Sequence, residues 1–107
     1  MVGGMEIEYT PNVKFFLKKL ENKLHDRTSQ AIFLLSIYGH TLRLPLSKSL
    51  GQGLFELRIT GANHIRIFYC FHNEKIYLLH IVKKKQNNIS NRDIDRARKI
   101  MVIIADL

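Results

Sequence analysis

Between Gly53 and Lys85 the chain carries three runs rich in β-branched, aromatic and other apolar residues. They are LFELRIT, HIRIFYCF and KIYLLHIVK, with turn signals at GAN and in the HNEK region. Runs of this kind bounded by turn residues predict three consecutive strands. Register then decides which side chains share a face. Pairing Thr60 with His64 across Gly61-Ala62-Asn63 sets Arg58 opposite Arg66, Ile59 opposite Ile65 and Leu57 opposite Ile67. Phe55, Leu57, Ile59, Ile65, Ile67, Tyr69 and Phe71 then fall on one face, whereas a one-residue slip would mix the faces. Two directly opposed arginines repel each other, so an anion, or an acid such as Glu56, is expected between them. For the second hairpin, pairing His72 with Lys75 around Asn73-Glu74 sets His64 opposite Lys83 and Ile67 opposite His80. That register adds Ile76, Leu78, His80 and Val82 to the core face. The other face holds Glu56, Arg58, His64, Arg66, Phe68 and Lys83 with Tyr77, Leu79 and Ile81, half basic and half apolar.

The elements around this sheet carry ordinary signals. Met5 to Tyr9 is a short candidate strand. Thr10-Pro11 reads as N-cap and first residue of a helix, with Val13, Phe16, Leu17, Leu20 and Leu24 as its apolar stripe. Lys14, Lys18, Lys19 and Lys23 read as its solvated side. Asp26 and Gly39 bracket a second helix, with a stripe of Ala31, Ile32, Leu34, Leu35 and Tyr38 to which Phe33 and Ile37 add. His40 to Gly53 reads as irregular, with Pro45 breaking regular structure and Gly51-Gln52-Gly53 marking a turn. Ser90 and Asp93 form a capping box before a helix with Ile94, Ala97, Met101 and Ile104 on one stripe. Arg92, Arg96, Arg98 and Lys99 supply its basic side.

Composition narrows the function classes. A chain of 107 residues with 46% apolar content reads as one globular domain, over 5–107, with Met1 to Gly4 as a flexible extension. The formal charge of +8 points to a polyanion or an acidic protein partner. Cys70 is the only cysteine, which excludes an intrachain disulfide and a cysteine-based zinc site. It reads as a small buried hydrophobe and fits a cytoplasmic protein. No histidine–carboxylate spacing suggests a metal, and no cofactor is expected. The N-terminus lacks the pattern of a secretory signal, and no apolar run is long enough to span a membrane.

Arg58, Arg66 and Lys83, with His64 nearby, are the cationic group expected on the second face. Arginine grips phosphate oxygens bidentately and lysine adds a mobile charge. Such a group suits an RNA backbone and a pentacoordinate phosphate transition state. Phe68 and Tyr77 would offer stacking surfaces for unpaired bases. His64 has the proton affinity of a general acid or base, and His80 reads as a core histidine.

The stretch Leu44 to Ile100 resembles the RelE/ParE toxin superfamily, specifically its HigB-type, phage-derived branch. The specific pieces are G-L-F-E-L-R, R-I-F-Y, L-L-H-x-x-x-K-K-x-Q and the D-I-x-R-A-R helix. The resemblance implies an α+β fold of β-α-α-β-β-β-α order, an antiparallel sheet with two N-terminal helices on one face and a C-terminal helix closing an end. It implies the toxin of a type II toxin-antitoxin system, a ribosome-dependent mRNA endonuclease neutralised by a cognate helix-turn-helix antitoxin in a hetero-oligomer. Cleavage would be metal-independent, the ribose 2′-hydroxyl attacking the adjacent phosphate. Arg58, Arg66, Lys83 and Lys84 best match the family's catalytic positions, with Lys85, His64, Phe68 and Tyr77 expected at the RNA. No tyrosine or histidine follows His80, which leaves the general acid and base unassigned. Two alternatives stand beside this reading. One is a ParE-like toxin that inhibits DNA gyrase without cutting RNA, and the other a plain basic nucleic-acid-binding domain.

Overall fold

The computed structural model describes residues 4–60, 64–84 and 89–107. Five strands form one sheet: β1 (Glu6–Tyr9), β2 (Ser47–Gly51), β3 (Leu54–Ile59), β4 (His64–His72) and β5 (Lys75–Lys84), in the order β1-β5-β4-β3-β2. Three helices accompany it: α1 (Pro11–Lys18), α2 (Asn22–Tyr38) and α3 (Asn91–Ala105). The α+β class is as expected. Two features of the sheet are not.

First, the sheet is mixed. β1 runs parallel to β5, pairing Glu6 with Lys75 and Tyr9 with Leu78. The long connection that a parallel pair requires runs through α1, α2 and the strands β2, β3 and β4. Second, β2 arises in the stretch read as irregular, where Ser47 pairs with Leu57 and Ser49 with Phe55. SKSLG has little strand propensity of its own, so the pairing edge of β3 decides its conformation. The G-Q-G turn does close this hairpin: Gly51, Gln52 and Gly53 have φ of 92°, 52° and 82°, a run that side chains resist and glycine permits.

The helix boundaries also move. α1 ends at Lys18, and Glu21 caps α2, its side chain accepting from Leu24 N at 2.7 Å. Asp26 is therefore inside α2, and Leu24 is a buried residue of α2 instead of the end of α1's stripe. Thr10 is the N-cap of α1 with Pro11 in the first turn, as expected, but its hydroxyl makes no capping bond and instead contacts Asn12 Oδ1 (2.6 Å) and the carbonyls of Leu78 (3.0 Å) and Leu79 (3.2 Å). Gly39 ends α2 as expected.

α1 and α2 cover one sheet face. Val13, Leu24, Ala31, Ile32 and Leu35 meet Leu57, Ile59, Ile65, Ile67, Tyr69, Ile76, Leu78 and Ile81 there. α3 lies across the opposite face, not at an end, burying Ala97 and Ile104 against Leu54, Phe68, Cys70 and Leu79. The predicted Ser90–Asp93 box opens it. Arg98 ties α3 to the β2–β3 turn, donating to Leu50 O at 3.1 Å and Gly51 O at 3.4 Å. Among the described residues no helix is long and apolar enough to cross a membrane.

Candidate active site

The β3–β4 register is the expected one, with Arg58 opposite Arg66 and Ile59 opposite Ile65. Glu56 resolves the repulsion. Its carboxylate is 1% exposed and lies 3.4 Å from Arg58 Nε and 3.6 Å from Arg66 Nε. Burial pushes the Glu56 carboxyl above its ordinary value against the pull of Arg58, Arg66 and Lys48. Burial likewise lowers Arg66, which Glu56 partly restores. Arg58 is one-quarter exposed, but Arg66 is 1% exposed. Arg66 therefore contributes its charge from beneath the surface, and its expected bidentate grip on a phosphate is not offered in this conformation. Burial of the whole side chain, invisible in a strand pattern, is the reason.

The β4–β5 register departs from expectation in one place. The hairpin starts as predicted, His72 opposite Lys75, with Asn73 and Glu74 both at positive φ (50° and 62°), as tight hairpin turns prefer. Further along, Tyr69 pairs with Leu78 but Phe68 with His80, so Leu79 is an extra, bulged residue. Thr10 meets the bulge, its N–H and hydroxyl reaching the Leu78 carbonyl and the hydroxyl also the Leu79 carbonyl. From there on every side chain of β5 changes face. His64 lies opposite Lys84, Ile65 opposite Lys83, Arg66 opposite Val82 and Ile67 opposite Ile81.

The bulge therefore corrects the face assignments from His80 onward. Lys83 and Ile81 turn to the α1–α2 side, where Lys83 lines a groove with Phe15 and Lys19. His80, Val82 and Lys84 turn to the arginine side. Lys84 thus stands where Lys83 was expected, next to His64.

On that side a second polar group assembles around Asp93. Its carboxylate receives Lys84 Nζ at 2.9 Å and the Ser90 hydroxyl at 2.8 Å on Oδ2, and meets His80 Nε2 at 3.2 Å on Oδ1. Burial by itself would raise the Asp93 carboxyl; the bonds from Lys84, Ser90 and His80 outweigh it and hold the group below its ordinary value. His80 and Asp93 are 12% and 13% exposed and border a cleft of about 690 Å³ with Arg92, Arg96 and Lys99 of α3. Along a strand this centre is two residues, about 7 Å, from the arginine pair, since Phe68 faces His80 and Arg66 faces Val82.

Phe68 is fully buried, its ring stacked on that of His80 with centroids 5.7 Å apart. It supports the histidine and has no face free for a base, because α3 covers it. Tyr77 is half-buried towards the other end of the sheet, beside His72, away from the arginines. His64 is half-buried with its Nδ1 enclosed. Lys85 lies outside the described residues, as does the Gly61-Ala62-Asn63 loop. Cys70 is buried as expected, its thiol pushed up to about 11 by desolvation.

His80 and Asp93 are thus the pair that strand and cap patterns did not bring together. One signal existed: the second residue of the cap box is the N3 position of α3, which points back toward the strand that precedes it. Over residues 15–102 the chain matches the family model described as phage derived protein Gp49-like (DUF891). The chain belongs to the Gp49-like family. That family is phage-derived and toxin-like, of the RelE/HigB kind. No curated protein matches the chain. The Gp49-like match begins inside α1 and ends inside α3, so it takes in both the arginine pair and the His80–Asp93 centre.

Proposed function

We propose that this Gp49-like protein is a HigB-type toxin that cuts mRNA on the ribosome without a metal. The observation that carries the reading is the juxtaposition, on one sheet face, of the Arg58–Glu56–Arg66 group with the Lys84–Asp93–His80 centre. Arg58 and Lys84, both part-exposed, are the cations able to touch a scissile phosphate, and Arg66 adds positive potential from below. The ribose 2′-hydroxyl attacks the adjacent phosphorus and loses its proton as the bond to the 5′-oxygen breaks. The leaving oxygen takes up a proton, giving a 2′,3′-cyclic phosphate and a 5′-hydroxyl end. The His80–Asp93 pair is assigned to those protons: Asp93 fixes the ring through Nε2, and the enclosed Nδ1 meets the RNA only once binding opens its cover. The setting that goes with this chemistry is a cytoplasmic toxin held inactive by a cognate helix-turn-helix antitoxin.

Induced expression in bacteria, with transcript 5′ ends mapped, tests the reading. Wild type should arrest growth and create new mRNA ends. His80→Ala and Arg58→Ala should lower the yield of those ends by about 10²-fold or more, the scale of general acid–base catalysis. Arrested replication with intact transcripts would instead identify a gyrase inhibitor of the ParE kind. Harmless expression would leave a basic nucleic-acid-binding domain.

A further inference from the structure

The bulge that turns Lys84 toward the arginines turns Lys83 the opposite way, into a groove of about 300 Å³ beside α1. Its walls are Phe15, Phe16 and Leu20, and its polar margin is Asn12, Lys19 and Lys83. Phe15 is 61% exposed, an aromatic ring standing in solvent at a place where the core does not require it. Lys14, Lys18 and Lys23 are exposed on the same helix pair, and no carboxylate lines the groove. Apolar walls with a margin whose charged side chains among the described residues are both cationic call for a complementary occupant.

We propose that this groove docks an acidic protein segment, one that inserts an aliphatic or aromatic side chain between Phe15 and Leu20 while its carboxylates meet Lys19 and Lys83. Three observations favour this occupant. Lys19 Nζ already sits 4.3 Å from the centroid of the Phe15 ring, on the surface that a nucleic-acid base would need for stacking. The groove lies across the sheet from Arg58 and His80, so an RNA strand bound at those residues has no straight route to it. A second copy of this chain would bring another +8 of charge to a cationic margin. A protein segment rich in glutamate and aspartate satisfies both the charge and the apolar walls. The inference stands apart from the cleavage reading, since none of the groove residues belongs to the His80–Asp93 or Arg58–Arg66 groups.

Fluorescence anisotropy on the full chain tests it. The probe is a fluorescein-labelled helical peptide rich in glutamate, with leucine or phenylalanine at alternating three- and four-residue spacing. Labelled oligouridylate serves as the comparison. The peptide should bind wild type in the micromolar range. Phe15→Ala and Lys83→Gln should each weaken it by about fivefold or more, the effect of truncating a residue that anchors an interface. Phe15→Ala should leave oligouridylate affinity unchanged, and circular dichroism should show the native fold in both variants, because both residues are exposed. Equal peptide binding by wild type and variants overturns the proposal, as does the absence of peptide binding. Loss of oligouridylate binding on Phe15→Ala also overturns it and assigns the groove to RNA.

Discussion

Asp93 joins α3 to β5, so one substitution there tests both the packing and the chemistry. Asp93→Asn keeps the side chain's shape and one acceptor oxygen but removes its charge. Lys84 is 31% exposed, so its ion pair with Asp93 is screened and contributes about 0.5–1 kcal/mol. The His80 contact is 12–13% exposed on its two sides and contributes about 1 kcal/mol. The negative charge at the start of α3 adds about 0.5 kcal/mol through the helix dipole. The loss should come to roughly 2 kcal/mol. With a urea slope of about 1.5 kcal/mol per molar, the unfolding midpoint followed by circular dichroism should fall by roughly 1.3 M with the slope unchanged. A double-mutant cycle with His80→Ala should return a coupling of about 1 kcal/mol. The pH dependence has a definite sign. The Asp93 carboxyl is held below its ordinary 3.8, so its contribution is fully present above that pH and is lost as pH falls through the folded-state value. The difference between wild type and Asp93→Asn should therefore shrink in acid. A loss under about 0.5 kcal/mol at neutral pH, with no coupling to His80, would refute the claim that this carboxylate organises the site.

The buried ring of Phe68 makes it a structural residue: Phe68→Ala should destabilise the fold by about 3–5 kcal/mol in urea titration, while any change in RNA affinity should follow unfolding alone. The Cys70 thiol, pushed up to about 11, should resist iodoacetamide at neutral pH and react fully only after denaturation, as mass spectrometry would show. Burial raises the Glu56 carboxyl above its ordinary 4.5, so the native state holds that proton more tightly than the unfolded chain. The stability of wild type relative to Glu56→Gln should therefore decline as pH climbs from the ordinary carboxyl value of 4.5 through the higher folded-state value, read from urea midpoints.

Alternation along three strands was enough to set Arg58 against Arg66 and to place Glu56 where their charges need it. It also identified the apolar face from Phe55 to Phe71, because one buried face leaves a hairpin a single register. The Asn73-Glu74 turn, the G-Q-G turn, the Ser90 cap and the burial of Cys70 are local matters, and each is legible in its own few residues. The long-range pairings are not. β1 lies parallel to β5, and Ser47–Gly51 becomes a strand, because an edge offered backbone partners that no nearby residue specifies. The bulge at Leu79 belongs to the same class. KIYLLHIVK is apolar at nearly every position and so does not fix where the register shifts, and Thr10, 69 residues away in sequence, meets the backbone at the extra residue. That single insertion exchanges Lys83 for Lys84 and brings His80 to Asp93. The sequence by itself determined the three central strands and that one face carries opposed arginines. The tertiary structure decided which lysine and which histidine join them, because the side a β-strand residue faces depends on every residue paired before it.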